Sequence, residues 1–399
     1  MKKGILMTGR AVPELAGLDD AVIAWMAEKN VPGASLAVAR NNRLVLARGY
    51  GWGDLQSLAP AQPGSLFRIA SITKPITSAA IMRLVQDGRL SLSDRVFDLL
   101  KVEPYLEPGA EFDERLRAVT VLQCLNHTGG WDRSKSGDPM AKSVAIAQAL
   151  HVQPPAEPEH IIRWMAGRRL EADPGKAYAY SNFGYCILGR IIESLSGVSY
   201  ERYVKEQILD PLGVRRMQIG RTLPKFRADG EVAYYPANDL APSVFADSLG
   251  CRIPKPYGSF YLEAMDSHGA WIASAPELVR FGSAFNDPDN CPILHRRGVE
   301  AMFERPPAPV WHDAAGNPQP SFYANGWMVD LPHETRIERH NHSGMLDGTT
   351  TTLLRRGDGV CWALLFNSSP PGTALERLDK AVSEVKQWPG DALEWGEYL

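Results

Sequence analysis

The stretch FRIASITKPITSAAIMRL, residues 67–84, decides how the rest of the chain is read. Its apolar residues, Ile69, Ile72, Ile76, Ala79, Ala80, Ile81, Met82 and Leu84, cover most faces of a helix. A helix apolar nearly all round is a buried one. Ser71 and Lys74 stand in it three residues apart, so one turn brings them to the same face. Pro75 belongs near a helix start, because deeper in it would break the hydrogen-bond ladder. Ser71 is therefore expected near the helix N-terminus, where free N–H groups and the helix dipole favour negative charge. A serine attacking an acyl carbon would create an oxyanion there. A lysine one turn on, enclosed by apolar side chains, is expected to lose pKa by desolvation and so to be able to take the serine proton.

On the N-terminal side, residues 17–29, GLDDAVIAWMAEK, have the pattern of an amphipathic helix. ASLAVAR and RLVLARG flank Asn41-Asn42, which predicts a β-hairpin with a two-residue turn. From about residue 86 to 274 strand signals almost vanish. Helical patterns take over in VTVLQCLNH, AKSVAIAQALHV, EHIIRWMAGRRL, FGYCILGRIIESLSG and YERYVKEQIL. The run Thr222 to Ser259 has weak periodicity and several prolines and reads as a long, functional or mobile loop. After the helical stretch APELVRFGSAF, strands return as GWMVDL, RIERHNH, TTTTLLRR and VCWALLFNS. The amphipathic stretch ALERLDKAVSEVKQW closes the chain. The expected fold is α/β in the broad sense (α+β): a mostly antiparallel sheet of two N-terminal and about three C-terminal strands, flanked by helices. Residues 1–85 and 275–399 would form this sheet domain, and 86–274 an inserted helical domain with long loops. The serine helix would lie at the seam, where small-molecule clefts tend to form.

The totals narrow the partners. The chain has 399 residues, 44% hydrophobic and 22% charged, with formal net charge −3. Nothing in that balance suggests nucleic acid or an anionic membrane surface, and no apolar run reaches membrane-span length. The N-terminus MKKGILMTGRAVPEL has too short an apolar stub for a signal-peptide core. The five cysteines, Cys124, Cys186, Cys251, Cys291 and Cys361, are scattered and odd in number. They read as reduced thiols, and the expected location is cytoplasmic.

Two further segments join Ser71 and Lys74. Tyr180-Ser181-Asn182 sits in a turn leading into an apolar helix. A tyrosine near a cationic lysine could ionise below its usual pKa and act as base, and the Asn182 amide could hold a substrate carbonyl. His342-Ser343-Gly344 ends the strand RIERHNH. A glycine there lets a ligand approach the backbone. The N–H groups of Ser71 and Met345 are the expected oxyanion donors. Each motif has a rival copy: Ser383 to Lys386 on the charged side of the last helix, Tyr323-Ala324-Asn325 as a strand lead-in, and His127-Thr128-Gly129 as a helix end and turn. Trp131 and Trp271 are candidate walls of an apolar acyl pocket, with core packing as the competing assignment. Tyr178 is read as a pocket wall or surface.

Ser-x-x-Lys, then Tyr-x-Asn, then a basic-x-Gly triplet on a late strand resembles the serine β-lactamase and penicillin-binding-protein superfamily. The likeness is greatest to class C β-lactamases and their family VIII carboxylesterase relatives. VPGASLAVAR, LNHTGGW, SHGAWIASAPELVRF and NGWMV add to it, and it runs from about residue 17 to 385. It implies that Ser71 is the nucleophile, Lys74 its partner, Tyr180 the general base and Asn182 a substrate contact. It implies no cofactor or metal, and a small-molecule ester or amide as substrate. One departure stands out. The lactamases have Lys-Thr-Gly where this chain has His342-Ser343-Gly344, and a histidine is mostly neutral at pH 7. The carboxylate clamp should be weak, which favours an esterase over a β-lactamase, a D-amino-acid peptidase or amidase, or an acyltransferase. Among unrelated classes, an α/β-hydrolase lacks its Gly-x-Ser-x-Gly elbow here. A metal site on His340-x-His342 lacks a third ligand. A non-catalytic acyl sensor would show a burst without turnover.

Overall fold

The computed structural model describes residues 4–236, 240–333, 337–370, 372 and 374–399. Helix α1 (Ala16–Lys29) leads into strands β1 (Gly33–Arg40) and β2 (Arg43–Asp54). Asn41 and Asn42 join the two strands with φ of 49° and 61°. Both are left-handed, as the hairpin turn that matches the right-handed twist of the strands requires. Helix α2 (Thr73–Gln86) carries Lys74, and α3 (Asn182–Ser196) begins two residues after Tyr180. Helix α4 (Ala275–Ser283) opens with a capping box between Ser274 and Glu277. Strands β3 (Met328–Asp330), β4 (Arg339–Leu346), β5 (Thr349–Arg356) and β6 (Val360–Phe366) follow, and α5 (Leu375–Ser383) is the last α-helix.

The long strands pair antiparallel in the order β2-β1-β6-β5-β4, so the two chain ends build one sheet. Alternation sorts its faces. Ala34, Leu36 and Val38 of β1 pack with Leu18, Val22 and Met26 of α1 and with Leu378 and Val382 of α5. Ala37 and Ala39 turn the other way, into the core that holds Leu278 and Phe281 of α4, Ile76 and Ala80 of α2, and Ile187 and Ile191 of α3. Each such aliphatic side chain larger than alanine contributes about 1.5–3 kcal/mol by leaving water.

Residues 86–274 form short helices, among them Val121–Leu125, Ser143–Ala149 and Pro158–Ala166. Strands also occur there. Trp271–Ala273 pairs with both Phe67–Arg68 and Gln218–Ile219. They are two or three residues long, too short to show alternation. The run Thr222 to Ser259 is not the structureless loop expected. Leu240–Pro242 pairs with Arg252–Pro254, while residues 237–239 lie outside the described set. The buried Arg68 side chain donates to Pro256 O at 2.6 Å and Arg221 O at 2.8 Å, pinning the loop's flanks beside the serine helix. No helix among the described residues is long and apolar enough to cross a membrane. No group of three or more His, Cys, Asp or Glu among them could hold a metal ion. Cys124, Cys186 and Cys361 are buried, Cys291 is half-buried and Cys251 exposed, all as free thiols.

Candidate active site

Ser71 sits in a single 3-10 turn, Ala70–Ile72, that runs directly into α2. Ala70 before it has φ of 48°, the left-handed region that a residue with a Cβ adopts only under constraint. The constraint comes from the sheet. Thr349 Oγ1 donates to Arg68 O and Thr351 Oγ1 to Ile69 O, both at 2.9 Å. Strand β4 lies so close that a Cβ on Gly344 would stand 2.2 Å from Ile69 O and 2.5 Å from Thr351 Oγ1. Gly344 was expected to make room for a ligand; what it makes room for is the backbone of the serine turn. The His-Ser-Gly triplet also lies inside β4 and not at a strand end, because the strand continues to Leu346. Strand β3 pairs with β4 only as far as Asn341, so the triplet and Met345 extend past their outer neighbour.

Lys74 is fully buried. Its Nζ stands 3.1 Å from Ser71 Oγ, 2.8 Å from Asn182 Oδ1 and 3.0 Å from His268 O. The two carbonyl-type oxygens can only accept, whereas a hydroxyl can also donate. A neutral amine fits this triad: its two N–H groups go to Asn182 and His268, and its lone pair receives the Ser71 hydroxyl proton. Burial pushes the Lys74 pKa well below its usual value, against the Asp138 charge, which raises it, and with the Arg133 charge, which lowers it. Tyr180 behaves differently from expectation. Its ring centroid is 4.7 Å from Lys74 Nζ, yet burial raises its pKa, opposed by a hydrogen bond with Ser71. Burial thus disfavours the charged form of each, the ammonium of Lys74 and the phenolate of Tyr180, which runs against a cation beside a phenolate.

Ser181 caps α3 by accepting from Gly184 N at 3.2 Å, which sets Tyr180 and Asn182 on either side of the cap. Asn182 Nδ2 donates to Asp138 Oδ2 at 2.6 Å. With Oδ1 on Lys74 this fixes the amide and leaves one N–H free for a substrate carbonyl. His127 is more than a helix end. Its ring centroid lies 4.2 Å from that of Tyr180, and Nδ1 accepts from Ser181 N at 3.1 Å. Tyr323, taken from the sequence as a strand lead-in, places its hydroxyl 2.9 Å from His342 Nε2. His342 Nδ1 donates to Ser343 O at 2.8 Å, so Nε2 accepts from Tyr323. Burial lowers the His342 pKa to about 3. The imidazole is neutral as expected, but burial is the reason, and both ring nitrogens are engaged inside the protein. A direct substrate contact through His342 nitrogen is thereby corrected.

A cavity of about 390 Å³ opens on Ser71, with Arg133, Tyr180, Asn182, His268, His342, Ser343, Gly344 and Met345 in its wall. The larger cleft, about 840 Å³ between Met82, Leu92 and Ala301, has none of these residues in its wall. Trp131 and Trp271 lie outside both. Trp131 packs edge-on against Phe183 at 4.8 Å between ring centroids, and Trp271 Nε1 donates to Tyr200 Oη at 3.1 Å. Both are core residues, which corrects the acyl-pocket reading. Tyr178 meets His127 edge-on at 6.0 Å between ring centroids and lies tilted against Trp311 at 4.6 Å. Sequence reasoning missed Arg133, Asp138 and His268. The LNHTGGW stretch ends two residues before Arg133, and SHGAWIASAPELVRF contains His268, but neither pattern marks these residues as part of a site.

Comparison with known proteins places these residues in context. The family described as Beta-lactamase matches residues 18–387. Protein flp of Staphylococcus aureus (strain NCTC 8325 / PS 47) is 24% identical over 376 residues, 92% of this chain and 66% of that protein. Penicillin-binding protein 4* of Bacillus subtilis (strain 168) is 25% identical over 374 residues, 90% of this chain and 73% of that protein. The chain thus spans about two thirds of the first relative's length. The octameric penicillin-binding protein homologue from Pyrococcus abyssi superposes with a TM-score of 0.70 at 26% identity, over 95% of this chain and 79% of that one. D-amino acid amidase from Ochrobactrum anthropi SV3 shares the fold with a TM-score of 0.70 at 20% identity, over 94% of this chain and 100% of that one.

Proposed function

Because the chain belongs to the beta-lactamase family of serine hydrolases, we propose that it hydrolyses small carboxylic esters through an acyl-enzyme on Ser71. Neutral Lys74 takes the Ser71 proton as Oγ attacks the acyl carbon. The N–H groups of Ser71 and Met345 receive the oxyanion. Tyr180, whose hydroxyl is poised against Ser71, gives its proton to the departing alkoxide, which leaves as the alcohol, and takes the serine proton back from Lys74. Water then enters on the same base and releases the acid. The free N–H of Asn182 holds the substrate carbonyl or amide.

One observation carries the choice of ester over β-lactam. The late strand offers a neutral, internally bonded imidazole in place of a fixed cation. A carboxylate docked there finds no charge, and a neutral ester needs none. The amide alternative has support in the fold shared with a D-amino acid amidase. The test compares kcat/KM for a p-nitrophenyl ester, nitrocefin and D-phenylalanine amide in wild type and His342→Lys. The ester should be fastest in the wild type, and the lysine should improve nitrocefin more than the ester. Wild-type turnover of nitrocefin or the amide at or above that of the ester would overturn the assignment.

A further inference from the structure

The cavity beside Ser71 carries one permanent charge. Among the described residues that line it, Arg133 is the sole Lys or Arg, and none is Asp or Glu. Arg133 opens the short helix Arg133–Ser136, in the helical part of the chain and not on the late strand. Its guanidinium carbon lies 4.6 Å from the Tyr180 ring centroid. Its side chain is 47% exposed. Stacking on an aromatic face occupies the flat side of a guanidinium and leaves its N–H edges open.

No protein acceptor takes those edges among the described residues. The nearest carboxylate, Asp138, approaches only to 3.6 Å. The oxygens of Asp138 are shared with other donors, Oδ1 with Met140 N–H at 3.1 Å and Oδ2 with Asn182 Nδ2 at 2.6 Å. Asp132, the preceding residue, is turned to Ser134, whose N–H and hydroxyl both donate to its Oδ1. The result is a guanidinium over the Tyr180 ring, in the wall of the space next to the nucleophile, with no hydrogen bond to the described residues. That geometry suits one ligand chemistry, a carboxylate or similar planar anion bound by two N–H groups.

We propose that Arg133 is a specificity-determining residue, and that the preferred substrates carry a carboxylate which it binds on the helical side of the cavity. This rests on the acyl-enzyme reading and names its substrate class. It also reconciles the neutral late strand with an anionic substrate. The charge that a carboxylate needs is present, but in a different place relative to the oxyanion site, so a compound must carry its carboxylate in a different position from a β-lactam to use it.

The test uses two near-isosteric ester pairs. The first is p-nitrophenyl pentanoate against p-nitrophenyl hydrogen glutarate, with the charge on the acyl side. The second is phenyl butyrate against 4-carboxyphenyl butyrate, with the charge on the leaving group. Wild type should favour the anionic member of at least one pair by about tenfold or more in kcat/KM, the usual worth of a charge-assisted hydrogen-bonded pair. Arg133→Gln should bring that ratio to near one, and Arg133→Lys should keep part of it. A merely structural role would slow both members alike and leave the ratio standing. A wild-type ratio near one in both pairs, or a ratio unchanged in Arg133→Gln, overturns the proposal. Calorimetry with glutarate separates the two readings. Glutarate binding that is lost in Arg133→Gln, without turnover of any ester, retains the anion site and sinks the esterase. Ester turnover without preference and without glutarate binding does the reverse.

Discussion

In the proposed mechanism Lys74 is the base, and its burial carries a stability penalty. Its folded pKa is depressed by burial, while in the unfolded chain it titrates near 10.4. Between those values the unfolded state holds a proton that the folded state lacks, so folding is opposed more strongly as pH falls. Lys74→Met removes the base and the penalty together. It should lower kcat by about a hundredfold or more. It should also raise stability relative to wild type, by a margin that narrows from pH 7 to pH 9 by up to about 1.4 kcal/mol per pH unit. Thermal melts of both proteins across that range check it, and a margin independent of pH would mean that Lys74 is charged when folded. At this scale the sequence was a partial guide. Ser71, Lys74, Tyr180 and Asn182 were legible because their spacing is local and their setting apolar. Asp138, His268 and His127 meet them only through the fold, so no spacing announces them. Trp131 and Trp271 misled because a tryptophan near a motif looks the same in a core as in a pocket.

The turn Ala70–Ile72 and strand β4 act as one unit. Gly344 permits their contact, and any side chain there must push Ile69 or Thr351 away. Gly344→Ala should cost about 1–3 kcal/mol of stability by overpacking and should slow fluorophosphonate labelling of Ser71. Normal labelling in a destabilised protein would show that the turn tolerates the shift. Arg68 does the same work for the long loop. It faces Glu231 at 3.7 Å with both side chains almost fully buried, and Tyr234 Oη also donates to Glu231. Arg68→Met should destabilise by about 3–5 kcal/mol, because it strands a buried carboxylate. New protease cleavage within residues 222–259 is the accompanying readout, and an unaltered digest would count against the pinning role. The sequence revealed the hairpin at Asn41-Asn42 and the late strands through turn chemistry and alternation. It hid the pairing of Phe67–Arg68 with Trp271–Ala273, since segments that short have no period.

Over the whole molecule, buried neutral histidines set the acid limit. His127, His268 and His342 all have pKa values lowered chiefly by burial. Each would take a proton near pH 6.5 once unfolded. Their stabilising effect is present above that pH and is lost as pH falls toward the folded values. Together they should remove up to about 4 kcal/mol of stability per pH unit below 6.5. Urea midpoints at successive pH values should fall steeply from pH 6.5 to 5, and less steeply in His268→Leu. The architecture at this scale was legible because strands at the two ends of the chain, with helices between, leave few ways to close one sheet. The 18–387 family match covers the same span as the motifs that suggested it. The claim at the centre of this account is a covalent acyl-enzyme on Ser71. Mass spectrometry of the protein quenched during turnover of a p-nitrophenyl ester tests it directly. One acyl adduct on the peptide containing Ser71, absent in an inactive Ser71→Ala variant, is the expected result; an adduct on another residue, with Ser71→Ala still turning over, would contradict it.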